Sequence, residues 1–203
     1  MHETETLVAG DNPIVSAAID RCTLRITWVP VFLAAHRRHL LEPRLINIAV
    51  AGCAGTGTAA LGNQTAISTV SGGNIIGTDG SSDAFNASER NLISGNLNGL
   101  TVNNDIVAGN YIGTDVTGMS SLANGFGVQI GGAGGRIGTD ADGIADDVEG
   151  NLISGNTGAA VFFVAGDGVT VAGNLIGTDV TGTLPLGNND GIVGFTSGIN
   201  HQI

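Results

Sequence analysis

The string NLISGN occupies residues 91–96 and returns at 151–156, and IGTDVTG occupies 112–118 and returns at 176–182. The shorter IGTD precedes each NLISGN, at 76–79 and 137–140, so the order of the motifs recurs along with their wording. The NLISGN copies lie 60 residues apart (91 to 151) and the IGTDVTG copies 64 apart (112 to 176), the extra residues falling within VFFVAGDG at 161–168. A long period that absorbs an insertion in a loop is what a stacked solenoid writes into its sequence, because each unit covers its apolar face only with its neighbours.

Inside the repeats the apolar residues come in short alternating bursts bounded by Gly, Asn or Asp, such as Leu100 and Val102, Val128 and Ile130, or Val169 and Val171. Period-two alternation of this kind predicts short strands, and helical spacing is missing. Antiparallel hairpins would put NG or DG between paired strands, whereas here GN is the commoner boundary and another apolar burst follows at once. Three strands per coil divide the period into coils of about 20 residues, which predicts an all-β, right-handed parallel β-helix of about six coils from residue 66 onward. Asn91, Asn96, Asn110, Asn151, Asn156 and Asn174 stand beside Gly or at a strand start. Asn tolerates tight corners and its amide can bond the next coil, so these six are expected to form a structural ladder of side-chain hydrogen bonds.

With 203 residues, 42% of them apolar and 12% charged, the chain can build a real core and is too hydrophobic for disorder. Only 4% is aromatic and 34 residues are Gly, so the core must come from thin layers of Ile, Val, Leu and Ala between tight turns. Residues 1–44 balance five Arg against five acids, while 45–203 hold only Arg90 and Arg136 against thirteen acids, which leaves the whole at −11 with no Lys. Such a field repels phosphate backbones and anionic lipid surfaces, excluding nucleic acid and peripheral membrane binding and leaving cations, neutral glycans and basic surfaces open.

Residues 1–50 do not share the repeat language and read as a separate, atypical N-terminal segment, with the repeat domain at 51–203. The stretch ITWVPVFLAA at 26–35 is too short to span a bilayer and Pro30 interrupts it, so a signal-peptide likeness is loose. The alternative is a short amphipathic helix at 31–41, stopped by Pro43 and capping the first coil. VAGC at 50–53 resembles a lipoprotein acylation box, and Cys22 and Cys53 could form one disulfide or be two inert apolar residues. A mis-started reading frame would also account for the segment's foreign composition.

GNYIGTDVTG at 109–118, GNLIGTDVTGTLPLGNNDGI at 173–192 and NLISGN resemble the repeats of bacterial right-handed parallel β-helix proteins, the pectin-lyase-like superfamily in its non-catalytic branch. The resemblance covers about 55–203, since TGTAALGN at 56–63 matches TGTLPLGN at 181–188. It implies a repeat module of a secreted or surface protein, serving structure, adhesion or carbohydrate recognition through glycans or other cell-surface proteins. The rival is a carbohydrate-active enzyme with acids on one solenoid face. A lyase of this superfamily needs a base and cations for its acidic polymer, yet there is no Lys, and no His stands between His39 and His201. A hydrolase needs paired carboxylates, and Asp146 and Asp147, read as neighbours on a strand, would point to opposite faces. No catalytic residue is assigned.

The richest acidic stretch is TDADGIADDVEG at 139–150, with Asp140, Asp142, Asp146, Asp147 and Glu149 around Gly143. Carboxylates at alternate positions with a Gly for the sharp turn suit calcium, and DADGIADD resembles the calcium loops of thrombospondin type 3 repeats. A solvated acidic loop is the other reading. Thr78, Thr114, Thr139 and Thr178 of the four IGTD motifs cap turns or, if they align, form an outward ledge for sugar hydroxyls. The final GIVGFTSGINHQI at 191–203 runs in mid-repeat with no charged edge to blunt it, so the repeat domain is expected either to be incomplete there, a fragment of a longer solenoid, or to self-associate end to end.

Overall fold

The computed structural model describes residues 57–82, 86–194 and 202, together with the stretches 17–20, 23–26, 44–46 and 50–51 of the leading segment. Strands β1 (Ala17–Asp20) and β2 (Thr23–Ile26) pair antiparallel. The helix expected at 31–41 lies outside the described residues, as do Cys22 and Cys53. No described helix is long and apolar enough to cross a membrane.

From Arg44 the chain winds as a parallel β-solenoid. The first rung holds β3 (Arg44–Ile46), β4 (Val50–Ala51) and β5 (Thr65–Ser68), and the second holds β6 (Asn74–Gly77), the helical turn α1 (Asn86–Glu89), β7 (Leu92–Ile93) and β8 (Asn98–Val102). The third is β9 (Ile106–Ala108), β10 (Tyr111–Ile112) and β11 (Phe126–Ile130). The fourth is β12 (Arg136–Gly138), α2 (Asp146–Glu149), β13 (Leu152–Ile153) and β14 (Ala159–Phe163), and the fifth β15 (Thr170–Ala172), β16 (Leu175–Ile176) and β17 (Asp190–Gly194). Like strands stack in register into three five-stranded parallel sheets, β3-β6-β9-β12-β15, β4-β7-β10-β13-β16 and β5-β8-β11-β14-β17. Gln202 lies beside β15, bridged to Thr170.

Register puts like on like in the core. Ile76, Val107, Ile137 and Val171 form one column, Ile93, Ile112, Ile153 and Ile176 a second, and Leu100, Val128 and Val161 a third. All but the half-buried Ile176 are buried. Burying one such side chain is worth about 1.5–3 kcal/mol, and these thin layers supply the hydrophobic term that the scarce aromatics do not.

Successive rungs begin at Asn74, Ile106, Arg136 and Thr170, so one turn consumes 30 to 34 residues (106 to 136, 136 to 170), and the stack makes four full turns from β3 to β15. The expectation of about six coils is corrected: the 60-residue sequence repeat is two rungs, not three. Each rung carries one long excursion, and its place alternates. In rungs two and four the chain leaves between the first and second sheets, at 78–91 and 139–151; in rungs three and five it leaves between the second and third, at 113–125 and 177–189. The remaining corners are short. All four IGTD motifs stand where an excursion begins, and their glycines, Gly77, Gly113, Gly138 and Gly177, have φ of 103°, 90°, 99° and 78°. Gly138 also lies against the Ala172 carbonyl of the next rung, where no Cβ would fit.

The six ladder Asn fall into two columns, one at each of two corners. Asn91, Asn110, Asn151 and Asn174 stack on consecutive rungs, the Oδ1 of Asn110, Asn151 and Asn174 each accepting the backbone N–H and amide of the Asn one rung earlier at 2.8–3.1 Å. Asn96 and Asn156 belong to the other, which Asn63, Asn124 and Asn188 complete with the same pattern. NLISGN carries one Asn of each column, on either side of its two-residue strand. Its serine adds a catch: the Ser154 hydroxyl accepts the N–H groups of Gly177 and Thr178 at 3.0 and 3.1 Å, fixing the next rung's excursion start.

Candidate functional site

The acidic excursion at 139–151 is built from its corner outward. Thr139 donates to Asp146 Oδ1 at 2.9 Å, while Asp146 Oδ2 accepts the Gly143 N–H at 3.1 Å, which folds the loop back on itself. Asp140 Oδ1 accepts from the Asp142 N–H and Asp142 Oδ1 from the Ile144 N–H, two successive side-chain-capped turns. The result gathers Asp140, Asp142 and Asp146 so that one carboxylate oxygen of each lies within 4.8 Å of the others. That is about twice a calcium–oxygen distance, the widest separation two ligands of one ion can have.

The other two acids do not join them. Glu149, 2% exposed, binds Arg136 Nη1 at 2.8 Å and accepts the Asp140 N–H at 3.1 Å. Arg136 also stands 3.4 Å from Asp140 Oδ2. Glu149 presses against Gly80 of the earlier acidic excursion, two rungs away, so its work is to stack one excursion on the other. Glu89 is its counterpart, also buried and accepting the Asp79 N–H. Asp147 is exposed. Asp146 and Asp147 stand not on a strand, as expected, but in α2, because the excursion leaves the sheet at Gly138 before reaching them.

The four threonines form no ledge. Thr78 and Thr114 are 0% exposed and Thr139 and Thr178 half-buried, and the pairs 78/139 and 114/178 sit at different corners. Their hydroxyls turn inward to hold the excursions, Thr78 to Asn86 Oδ1 at 2.6 Å, Thr114 and Thr178 to the following Asp carbonyls.

The opposite excursions stack on one another, the Val116 N–H donating to Gly57 O and the Val180 N–H to Gly118 O across two rungs. Asp179 organises the last of them. Enclosure by its own loop pushes its carboxyl up, but the Thr181 hydroxyl and the N–H groups of Leu184, Thr183 and Thr181 outweigh that and hold it below its ordinary 3.8. Asp115 organises the excursion at 113–125, accepting from Thr117, Met119 and Ser120.

No family model, curated protein or solved structure matches this chain.

Proposed function

We propose that the chain is a non-enzymatic, extracellular module of the pectin-lyase-like kind, a rigid rod for structure, adhesion or glycan recognition whose acidic corner takes calcium. The observation that carries the calcium part is the convergence of Asp140, Asp142 and Asp146 at the tip of an exposed excursion. Each carboxylate keeps lone pairs beyond its turn bonds, so three side chains plus backbone carbonyls and water reach the six to eight oxygens calcium wants. Arg136 and Glu149 would position this set by fixing where the excursion leaves the sheet.

Loops of this openness suit the weak affinities of extracellular calcium modules, about 0.1–1 mM. At 10 mM calcium such an affinity adds roughly 1.4–2.7 kcal/mol to stability, since only the folded loop gathers the ligands. The test is thermal unfolding in EDTA, 10 mM CaCl2 and 10 mM MgCl2, on the parent and on Asp142→Ala. Stabilisation by calcium beyond magnesium, lost in the variant, is expected. Equal stabilisation by both ions, or an unchanged calcium effect in Asp142→Ala, would discard the calcium reading. Turnover of a neutral polysaccharide that disappears in both Asp146→Ala and Asp147→Ala would instead establish the hydrolase alternative.

A further inference from the structure

The sheet β5-β8-β11-β14-β17 turns one face to the core and the other to solvent. Leu100, Val102, Val128, Ile130, Val161 and Phe163 are buried, so the residues between them, Thr101, Gln129 and Phe162, point outward on three successive rungs. Gln129 joins Asn98 to the same face, its amide donating to Asn98 Oδ1 and its oxygen accepting from the Thr101 hydroxyl, both at 3.4 Å. Phe126 completes the patch, its ring centroid 5.4 Å from that of Phe162 and tilted by 41°. Phe126, Phe162, Thr101, Gln129 and Asn98 are all half-buried.

We infer that this outer face is a platform for an uncharged polysaccharide, with Phe126 and Phe162 stacking on sugar rings and Asn98, Thr101 and Gln129 exchanging hydrogen bonds with hydroxyls. The inference rests on the recognition reading above and names its ligand class and place. Three observations carry it. The five side chains bear no charge in a chain of net charge −11, which selects against polyuronates and other anions. Their mutual hydrogen bonds are long against a usual 2.7–3.0 Å, so amide and hydroxyl capacity is left for a ligand that both donates and accepts, as a sugar hydroxyl does. The aromatic pair supplies the apolar half that the ring C–H face of a pyranose needs. From Asn98 on the second rung to Phe162 on the fourth is about 10 Å, enough for two linked sugars. A peptide strand is disfavoured there, because the backbone of β8, β11 and β14 is already paired on both sides.

The test is native affinity electrophoresis of the full chain through gels holding hydroxyethylcellulose, mixed-linkage β-glucan, galactomannan, xyloglucan or, for comparison, polygalacturonate. Retardation by at least one neutral polymer is expected, weakened at least tenfold by Phe162→Ala and at least threefold by Gln129→Ala. Val70→Ser, at a fully exposed corner, leaves it unchanged. Gln129→Ala removes none of the core columns, so it decides the matter should Phe162→Ala unfold. No retardation by any neutral polymer, retardation by polygalacturonate alone, or undiminished binding in both variants overturns the inference. Calcium stabilisation measured on the same protein separates the two readings: glycan binding absent with the calcium effect intact removes this inference alone.

Discussion

Asn110→Ala tests whether the side-chain columns, and not the apolar core alone, hold the rungs together. Asn110 is fully buried; its Oδ1 accepts the Asn91 N–H at 3.1 Å and the Asn91 amide at 2.8 Å. Its own amide is shared among Ile76 O, Ala108 O and Asn151 Oδ1 at 2.8–3.0 Å. Truncation leaves the two Asn91 donors without this acceptor, in a corner that the next rung closes to water. The two accepted bonds and the shared amide donations are all lost, and at about 1 kcal/mol for each bond a loss of roughly 3–5 kcal/mol is expected. An ordinary surface substitution moves stability by about 0.5 kcal/mol or less. Urea unfolding followed by circular dichroism of the sheet signal measures this, with Asn189→Ala, an exposed asparagine whose side-chain amide donates to its neighbour Asp190, as the reference. A midpoint for Asn110→Ala as high as that of Asn189→Ala would show that the ladder follows the stacking without contributing to it.

Arg136→Met strands the buried Glu149 carboxylate and should destabilise by about 3–5 kcal/mol, whereas Arg136→Met with Glu149→Gln should recover much of that. A double variant no more stable than the single one in urea would mean the pair is not coupled. Asp179 sets an acid-side prediction. Its folded pKa lies below the unfolded value near 3.8, so the unfolded chain binds the proton more readily and stability rises with pH. Its contribution is present above pH 3.8 and lost as pH falls through the folded value. Parent and Asp179→Asn should therefore differ most at neutral pH and converge towards pH 2, read as unfolding midpoints across that range; a gap that widens on acidification contradicts the assignment.

The parallel stack was legible because NLISGN and IGTD are the two corners every rung pair must make, and corner chemistry tolerates few residues. The rung count was not, because dividing the period by a typical coil length assumes equal corners, and these are unequal by design. Asn63, Asn124 and Asn188 carried a signal that local spacing to Gly obscures: each ends a Leu-Gly-Asn or Leu-Ala-Asn triplet, at 61–63, 122–124 and 186–188. The acidic string marked the right loop, but only three of its five acids converge, since whether a carboxylate faces solvent or a buried guanidinium depends on a residue thirteen positions away, Arg136 against Glu149. Phe162 was hidden within VFF, where the sequence does not say which of two adjacent rings enters the core.

The alternation of excursions imposes a parity rule on how such a chain can lengthen or shorten. Each excursion stands against its like two rungs away, as Val180 does on Gly118 and Glu149 on Gly80, so it occupies the height of two strands, about 9.6 Å. Excising a single rung would bring two bulky loops onto adjacent layers of one edge, where there is room for one. Gene duplication or deletion in this molecule can therefore proceed only in pairs of layers, and the indivisible building block is the doublet.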